Sequence, residues 1–202
     1  MRDDKSNSAE DEKLFLNLGC GSLPIKGCLN IDCIKGEHVD QRIDLSIIPW
    51  PFKENSVDGI YMIHSLEHFS DAAKILNECD RILKKGAFLH IQGPHSSSSC
   101  CGIGGDITHY RTFSYGALGR FLKTYKVMHE RIIWWIPPRR KNNRFVPYYL
   151  NKSPNVYYII IYPLALLIQF LIDLSPKIFE RFWANYVGGA DEIIWRGYKE
   201  NC

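Results

Sequence analysis

The residues of this chain whose types and spacing could do chemistry fall into three groups. The first is Gly19-Cys20-Gly21, followed downstream by Asp32 and Asp44. Glycines let a backbone approach a ligand closely and adopt positive φ, and the carboxylates accept hydrogen bonds from hydroxyl and amino donors. A ligand carrying a sugar and a base is the natural partner. The second group, His64-Ser65-Leu66-Glu67-His68, gathers two imidazoles around a carboxylate. The third, Asp106-Ile107-Thr108-His109-Tyr110-Arg111-Thr112-Phe113, offers another imidazole and a guanidinium. An imidazole can take a proton from a reacting hydroxyl, and with a carboxylate it can hold a metal.

Elements must bring these groups together. Residues 13–18 form an apolar run that stops at glycine, the profile of a buried strand entering a tight turn. Further strands are predicted at 28–32, 41–45, 57–63 and 87–92. Between the last two, Ser70 and Asp71 can cap a helix whose apolar positions Ala72, Ile75, Leu76, Cys79, Ile82 and Leu83 recur at helical spacing. Lys84-Lys85-Gly86 is expected to close it. A helix near 115–124, strands near 127–136 and at 191–199, and an apolar helical segment at 156–172 complete the reading. Strands that alternate with helices predict an α/β, Rossmann-like, mostly parallel sheet. Only 19–27 separate the first two strands, too few residues for a helical crossover, so the first crossover is expected to be shortened. In such a sheet a ligand sits beyond the carboxyl ends of the strands, where Gly19, Gly21, Asp32, Asp44 and His64 fall.

The resemblance to a known family rests on ordered motifs. Leu16-Asn17-Leu18-Gly19-Cys20-Gly21 resembles motif I of class I S-adenosylmethionine-dependent methyltransferases. Pro49-Trp50-Pro51-Phe52, Ser56-Val57-Asp58, His64-Ser65-Leu66-Glu67-His68-Phe69 and Arg81-Ile82-Leu83-Lys84-Lys85-Gly86 are similar in order and spacing to the "LPF…FD…HxLEH…LKPGG" pattern of its type 11-like group, and 106–113 resembles that group's "DPTHxRxF" loop. The resemblance implies S-adenosyl-L-methionine as cofactor, with Asn17, Gly19, Cys20, Gly21 and His64 around it. Gly19 and Gly21 would pass under its methionine part, Asp32 would receive the ribose hydroxyls, and Asp44 with the Leu45 backbone would hold the adenine edge. It places His109 toward the methyl acceptor, with His64 and His68 as further candidate bases. Two positions depart from the pattern: Asn17 stands where many members carry an acid, and Ala87 where a second glycine is usual.

Competing readings predict different residues. A dinucleotide site wants a third glycine where this chain has Pro24, and Asp32 arrives too early for it. The His64/Glu67/His68 spacing also spells an inverted zinc-protease motif, which needs both imidazoles on one helix face. A fold that binds the cofactor without turnover is the remaining alternative.

A net charge of +3 over 202 residues is too slight to imply nucleic acid. Seven cysteines without regular C-x-x-C spacing point to free thiols and a cytoplasmic chain. The expected organisation is a charged, disordered tail at 1–12, a methyltransferase domain at 13–136, a basic and apolar helical insertion at 137–190, and a final strand and C-terminus of the same domain at 191–202. The uncharged 156–172 run follows Arg139, Arg140, Lys141, Arg144 and Lys152. It either packs on the domain or makes peripheral contact with the inner face of a membrane. The favoured acceptor is a small molecule, a glycan or a lipid-linked molecule, methylated on oxygen; oligomeric state is left open.

Overall fold

The computed structural model describes residues 13–98, 106–134, 156–184 and 190–200, with the backbone alone for 156–162 and Trp183. The expected tail at 1–12 and, within the expected insertion, residues 137–155 with Arg139, Arg140, Lys141, Arg144 and Lys152 lie outside the described residues.

Seven strands form one sheet in the order β3-β2-β1-β4-β5-β7-β6. These are β1 (Phe15–Leu18), β2 (Leu29–Asp32), β3 (Gln41–Arg42), β4 (Val57–Ile63), β5 (Leu83–Pro94), β6 (Tyr125–Ile133) and β7 (Glu192–Lys199). The first five run parallel, whereas β7 is antiparallel to both β5 and β6. The Rossmann-like sheet, the abbreviated first crossover and the helical insertion before the last strand are all observed. The central strands carry the apolar core: Leu16, Leu18, Ile31, Ile60, Met62 and Leu89 have no exposed surface. Burying each such side chain stabilises the fold by about 1.5–3 kcal/mol.

α1 (Ala72–Ile82) begins where Asp71 accepts a hydrogen bond from Lys74 N at 3.0 Å. It buries Ala72, Ile75, Leu76, Cys79 and Ile82 along one stripe. Its end differs from the expectation, because Lys84-Lys85-Gly86 belongs to β5. The N–H groups of Asn55 and Ser56 take the carbonyls of Arg81 and Ile82, so the helix ends on a neighbouring turn and needs no glycine exit. Glu78, 4% exposed, binds Trp50 N at 2.7 Å and Arg81, and Arg81 reaches the carbonyls of Trp50 and Phe52. The Pro-Trp-Pro-Phe and Arg-Ile-Leu motifs are thus two halves of one clamp.

No helix lies between β1 and β2. Polar side chains hold this link instead. Asn17 Nδ2 donates to Leu23 O and to Asn30 Oδ1, both at 2.9 Å, and Ile25 N donates to Asn30 Oδ1 at 2.8 Å. Asn30 in turn binds Asp40 Oδ2 through its backbone N–H and its amide.

Past β5, α2 (Ala117–Phe121) is shorter than expected and β6 starts two residues earlier. α3 (Val156–Leu174) packs on β6 through Ala165, Ile168, Gln169 and Ile172; Gln169 accepts from Trp134 N and donates to Ile132 O. Asp173 pairs with Arg131. Leu164, Leu166, Leu167, Phe170, Leu171 and Leu174 remain exposed. A short α4 (Pro176–Ile178) and a π-helical turn, Phe179–Trp183, follow. Among the described residues no helix is long and apolar enough to cross a membrane.

Asn30→Ala would leave Asn17 Nδ2 and Ile25 N without their shared acceptor. It is expected to lower stability by about 1–3 kcal/mol for each buried group that loses its partner. A urea transition with a lower midpoint and unchanged slope is the measurement.

Candidate active site

The order of strands reverses at β1, which pairs β2 on one side and β4 on the other, so the tips of β1, β2 and β4 frame a crevice. Gly19 (φ 69°) and Gly21 (φ 49°) turn the chain out of β1 in the left-handed region. A Cβ on Gly19 would stand 2.2 Å from Ser65 Oγ, so this position is closed by the chain itself. Gly21 has no described atom within 4 Å of that point and faces open space. Asp32 joins this turn to β2: its Oδ2 accepts from Gly21 N at 2.8 Å and its Oδ1 from Ile34 N at 2.9 Å. Each oxygen keeps a second lone pair for a ligand hydroxyl.

Asp44 is exposed two residues beyond β3, and two bonds from Ser46 hold its carboxyl below the usual range. Leu45 is buried, its carbonyl accepting Trp50 Nε1 at 3.0 Å. Cys20 is 4% exposed, and burial, then Asp32, push its thiol up. Asn17 is buried with its amide committed to the β1–β2 link, a structural duty the motif alone does not reveal. The residues fit a nucleoside cofactor: an open glycine turn, one carboxylate at the tip of β2, and a second beyond β3.

Next to this crevice lies the His64–Phe69 segment. His64 ends β4 at φ 50°, its N–H bound to Gln92 O. Its Nε2 meets Glu192 Oε1 at 2.8 Å, and its Nδ1 lies 3.3 Å from Glu67 Oε1. Burial disfavours the imidazolium, but Glu192 and then Glu67 outweigh it and push the pKa up to about 10. Both ring nitrogens of His64 therefore face carboxylates, and neither is offered to a substrate. Glu192, on β7, also receives Gln92 Nε2. No motif pointed to Glu192, because its partner lies 128 residues earlier.

Leu66–His68 is a single 3-10 turn rather than a helix. This corrects the zinc-hydrolase alternative built on His64, Glu67 and His68, since His64 stands on a strand end with both nitrogens engaged. The 106–113 loop docks on this turn. Tyr110 N donates to Glu67 O at 2.8 Å, and Arg111 donates to the carbonyls of Phe69 and Ser70. His68 and His109 meet edge to face with centroids 4.7 Å apart. His68 Nδ1 is 3.0 Å from Thr108 Oγ1, and that hydroxyl is 2.7 Å from Asp106 Oδ1. Glu67 is fully buried; neither of its oxygens, nor the buried Nδ1 of His109, has a hydrogen-bond partner among the described residues. The structure thus brings His68 and His109 together and holds His64 apart by its carboxylates.

Comparison with known proteins accords with this geometry. Residues 31–91 match a family model described as a methyltransferase domain. A methyltransferase of Archaeoglobus fulgidus described as SAM dependent superposes with a TM-score of 0.59 at 16% identity, over 93% of this chain and 86% of that one. The YcgJ protein of Bacillus subtilis gives 0.54 at 18% identity, over 95% and 93%. The [4+2]-cyclase SpnF gives 0.53 at 16% identity, over 96% and 78%. No curated protein sequence matches the chain. The solved structures carry the fold, which is that of the class I methyltransferases. The matched domain, residues 31–91, supports methyl transfer from S-adenosylmethionine as this chain's activity.

Gly19→Ala and Gly21→Ala should separate in their effects. Both take on the strain of a left-handed residue, about 1–2 kcal/mol, but only Gly19→Ala also collides with Ser65. Thermal unfolding should show the larger loss for Gly19→Ala. Calorimetry with S-adenosylhomocysteine should show weakened binding for Gly21→Ala, whose methyl enters the open space.

Proposed function

We propose that this protein is an S-adenosylmethionine-dependent methyltransferase that binds its cofactor across Gly19, Cys20, Gly21, Asp32, Asp44 and Leu45 and transfers the methyl group to an oxygen of a small, glycan or lipid-linked acceptor. The observation that supports this most is the tie between Asp32 and Gly21 N, which sets a carboxylate beside an open glycine turn. When bound, S-adenosylmethionine supplies an activated methyl on a sulfonium. The protein's part is alignment, which can supply about 7–11 kcal/mol. Asp32 grips the ribose, where each bond to a charged acceptor contributes about 1.5–3 kcal/mol. The docked 106–113 loop borders the acceptor side and carries His109. Because His64 is held by two carboxylates, His68 and His109 are the residues that face the acceptor.

The exposed leucines and Phe170 of α3 favour an acceptor at an apolar surface over a freely diffusing one. They form a broad apolar face of the kind that meets partners or lipid. A second reading, cofactor binding without methyl transfer, draws on the fold's likeness to a cyclase. The formation of S-adenosylhomocysteine with a cognate acceptor separates the two.

Asp32→Ala is expected to weaken S-adenosylhomocysteine binding at least tenfold, since about 1.4 kcal/mol suffices for that factor. Equal affinity in the native protein and the variant would remove Asp32 from the site. For the surface reading, Leu166→Glu with Phe170→Glu should reduce sedimentation with anionic vesicles while leaving S-adenosylhomocysteine affinity intact; no sedimentation of the native protein would end it.

A further inference from the structure

Glu67, His68 and His109 present a carboxylate and two imidazoles whose ligand atoms all lie within 4.8 Å of one another. The hydrogen-bond network fixes which nitrogens are free to coordinate. Asp106, as a carboxylate, can only accept, so the Thr108 hydroxyl at 2.7 Å donates to it. Thr108 Oγ1 must then accept from His68 Nδ1–H at 3.0 Å, which leaves the lone pair of a neutral His68 on Nε2. On His109, Nε2 is the nitrogen facing Asp106, 3.7 Å from its Oδ2. The lone pair of neutral His109 then falls on Nδ1, the buried nitrogen that has no partner. Thr108 and Asp106 thus stand behind both rings as the outer partners that orient metal-ligating histidines. Between these nitrogens lies a fully buried carboxylate whose Oε1 has His64 Nδ1 3.3 Å away but whose Oε2 has no hydrogen-bond partner among the described residues, so part of a buried charge is left unpartnered, which costs free energy. His64 touches Glu67 only from one side, at Oε1, and is itself bound by Glu192. His68 is exposed, so one side of the cluster opens to solvent.

We propose that Glu67, His68 and His109 form a binding site for one divalent transition-metal ion, held through a Glu67 oxygen, His68 Nε2 and His109 Nδ1, with open coordination positions facing the acceptor side. Two imidazoles and one carboxylate suit borderline ions such as zinc, iron(II), manganese(II) or cobalt(II), and disfavour calcium and magnesium, which prefer all-oxygen cages. The site differs from the zinc-protease spacing, because it omits His64 and takes its second imidazole from a loop distant in sequence. Its role rests on the methyltransferase reading: the ion would hold the acceptor's oxygen and acidify its hydroxyl. The existence of the site does not depend on that role.

The test is a cobalt(II) titration of chelator-stripped protein followed by visible absorption, with S-adenosylhomocysteine calorimetry on the same samples. One equivalent should bind, giving d–d bands without thiolate-to-cobalt charge transfer, and His68→Ala, His109→Ala and Glu67→Gln should each weaken it by at least about tenfold. His68 is exposed, so its variant tests the site even if the other two fail to fold. Absence of stoichiometric cobalt, charge transfer that reveals cysteine ligands, or unchanged affinity in His68→Ala would overturn the proposal. Cofactor binding without cobalt would sink the metal site alone, and cobalt without cofactor would sink the methyltransferase reading alone.

Discussion

The architecture of this protein depends on a buried amide pair, Asn17 and Asn30, that stands in for a missing helix. In a parallel sheet the link between neighbouring strands normally carries a helix, which covers one face and satisfies its own backbone. Here the link is too short, so its backbone polar groups have to find partners among side chains. Asn30 does most of this, accepting from Ile25 and Asn17 while donating to Asp40, and it thereby ties the link to the approach to β3. The turn at Gly19–Gly21 is the upper end of the same link. Its geometry is inherited from this polar knot and from Ser65, which presses on Gly19 from the β4 side.

What could be read in the sequence follows from how local the signals are. β4 and α1 were legible because their apolar periodicities are strong and Asp71 caps in place. The shortened crossover was legible from spacing alone. Lys84-Lys85-Gly86 misled because charge followed by glycine resembles a helix exit, whereas a neighbouring turn had already satisfied the last carbonyls of α1. Asn17 looked like a ligand contact by position in its motif. Only the fold reveals that its amide is spent inside the protein.

The cluster around Glu67 was less legible, and the reason is distance along the chain. Glu67 and His68 come from a turn after β4, His109 from a loop after β5, and Glu192 from β7. Each was visible as a residue type, but their juxtaposition depends on how the 106–113 loop docks, through Arg111 and the Tyr110 N–H. The carboxylates sort the imidazoles. Glu192 binds His64 at Nε2, while Thr108 and Asp106 stand beside the rings of His68 and His109.

β7 lies between β5 and β6, although it is the last of the seven to be synthesised. Until it arrives, the β5 edge that it covers is bare, and His64 lacks its strongest counter-charge. A nascent chain emerging from the ribosome can build the β1–β5 part of the sheet early, from contacts within its first hundred residues, but the far side waits for a strand-insertion step between two strands already made. Such non-local pairing is slow, and the open edge is a template for wrong partners meanwhile. Biogenesis of this protein is therefore most exposed to misassembly in the interval between translation of β6 and of β7.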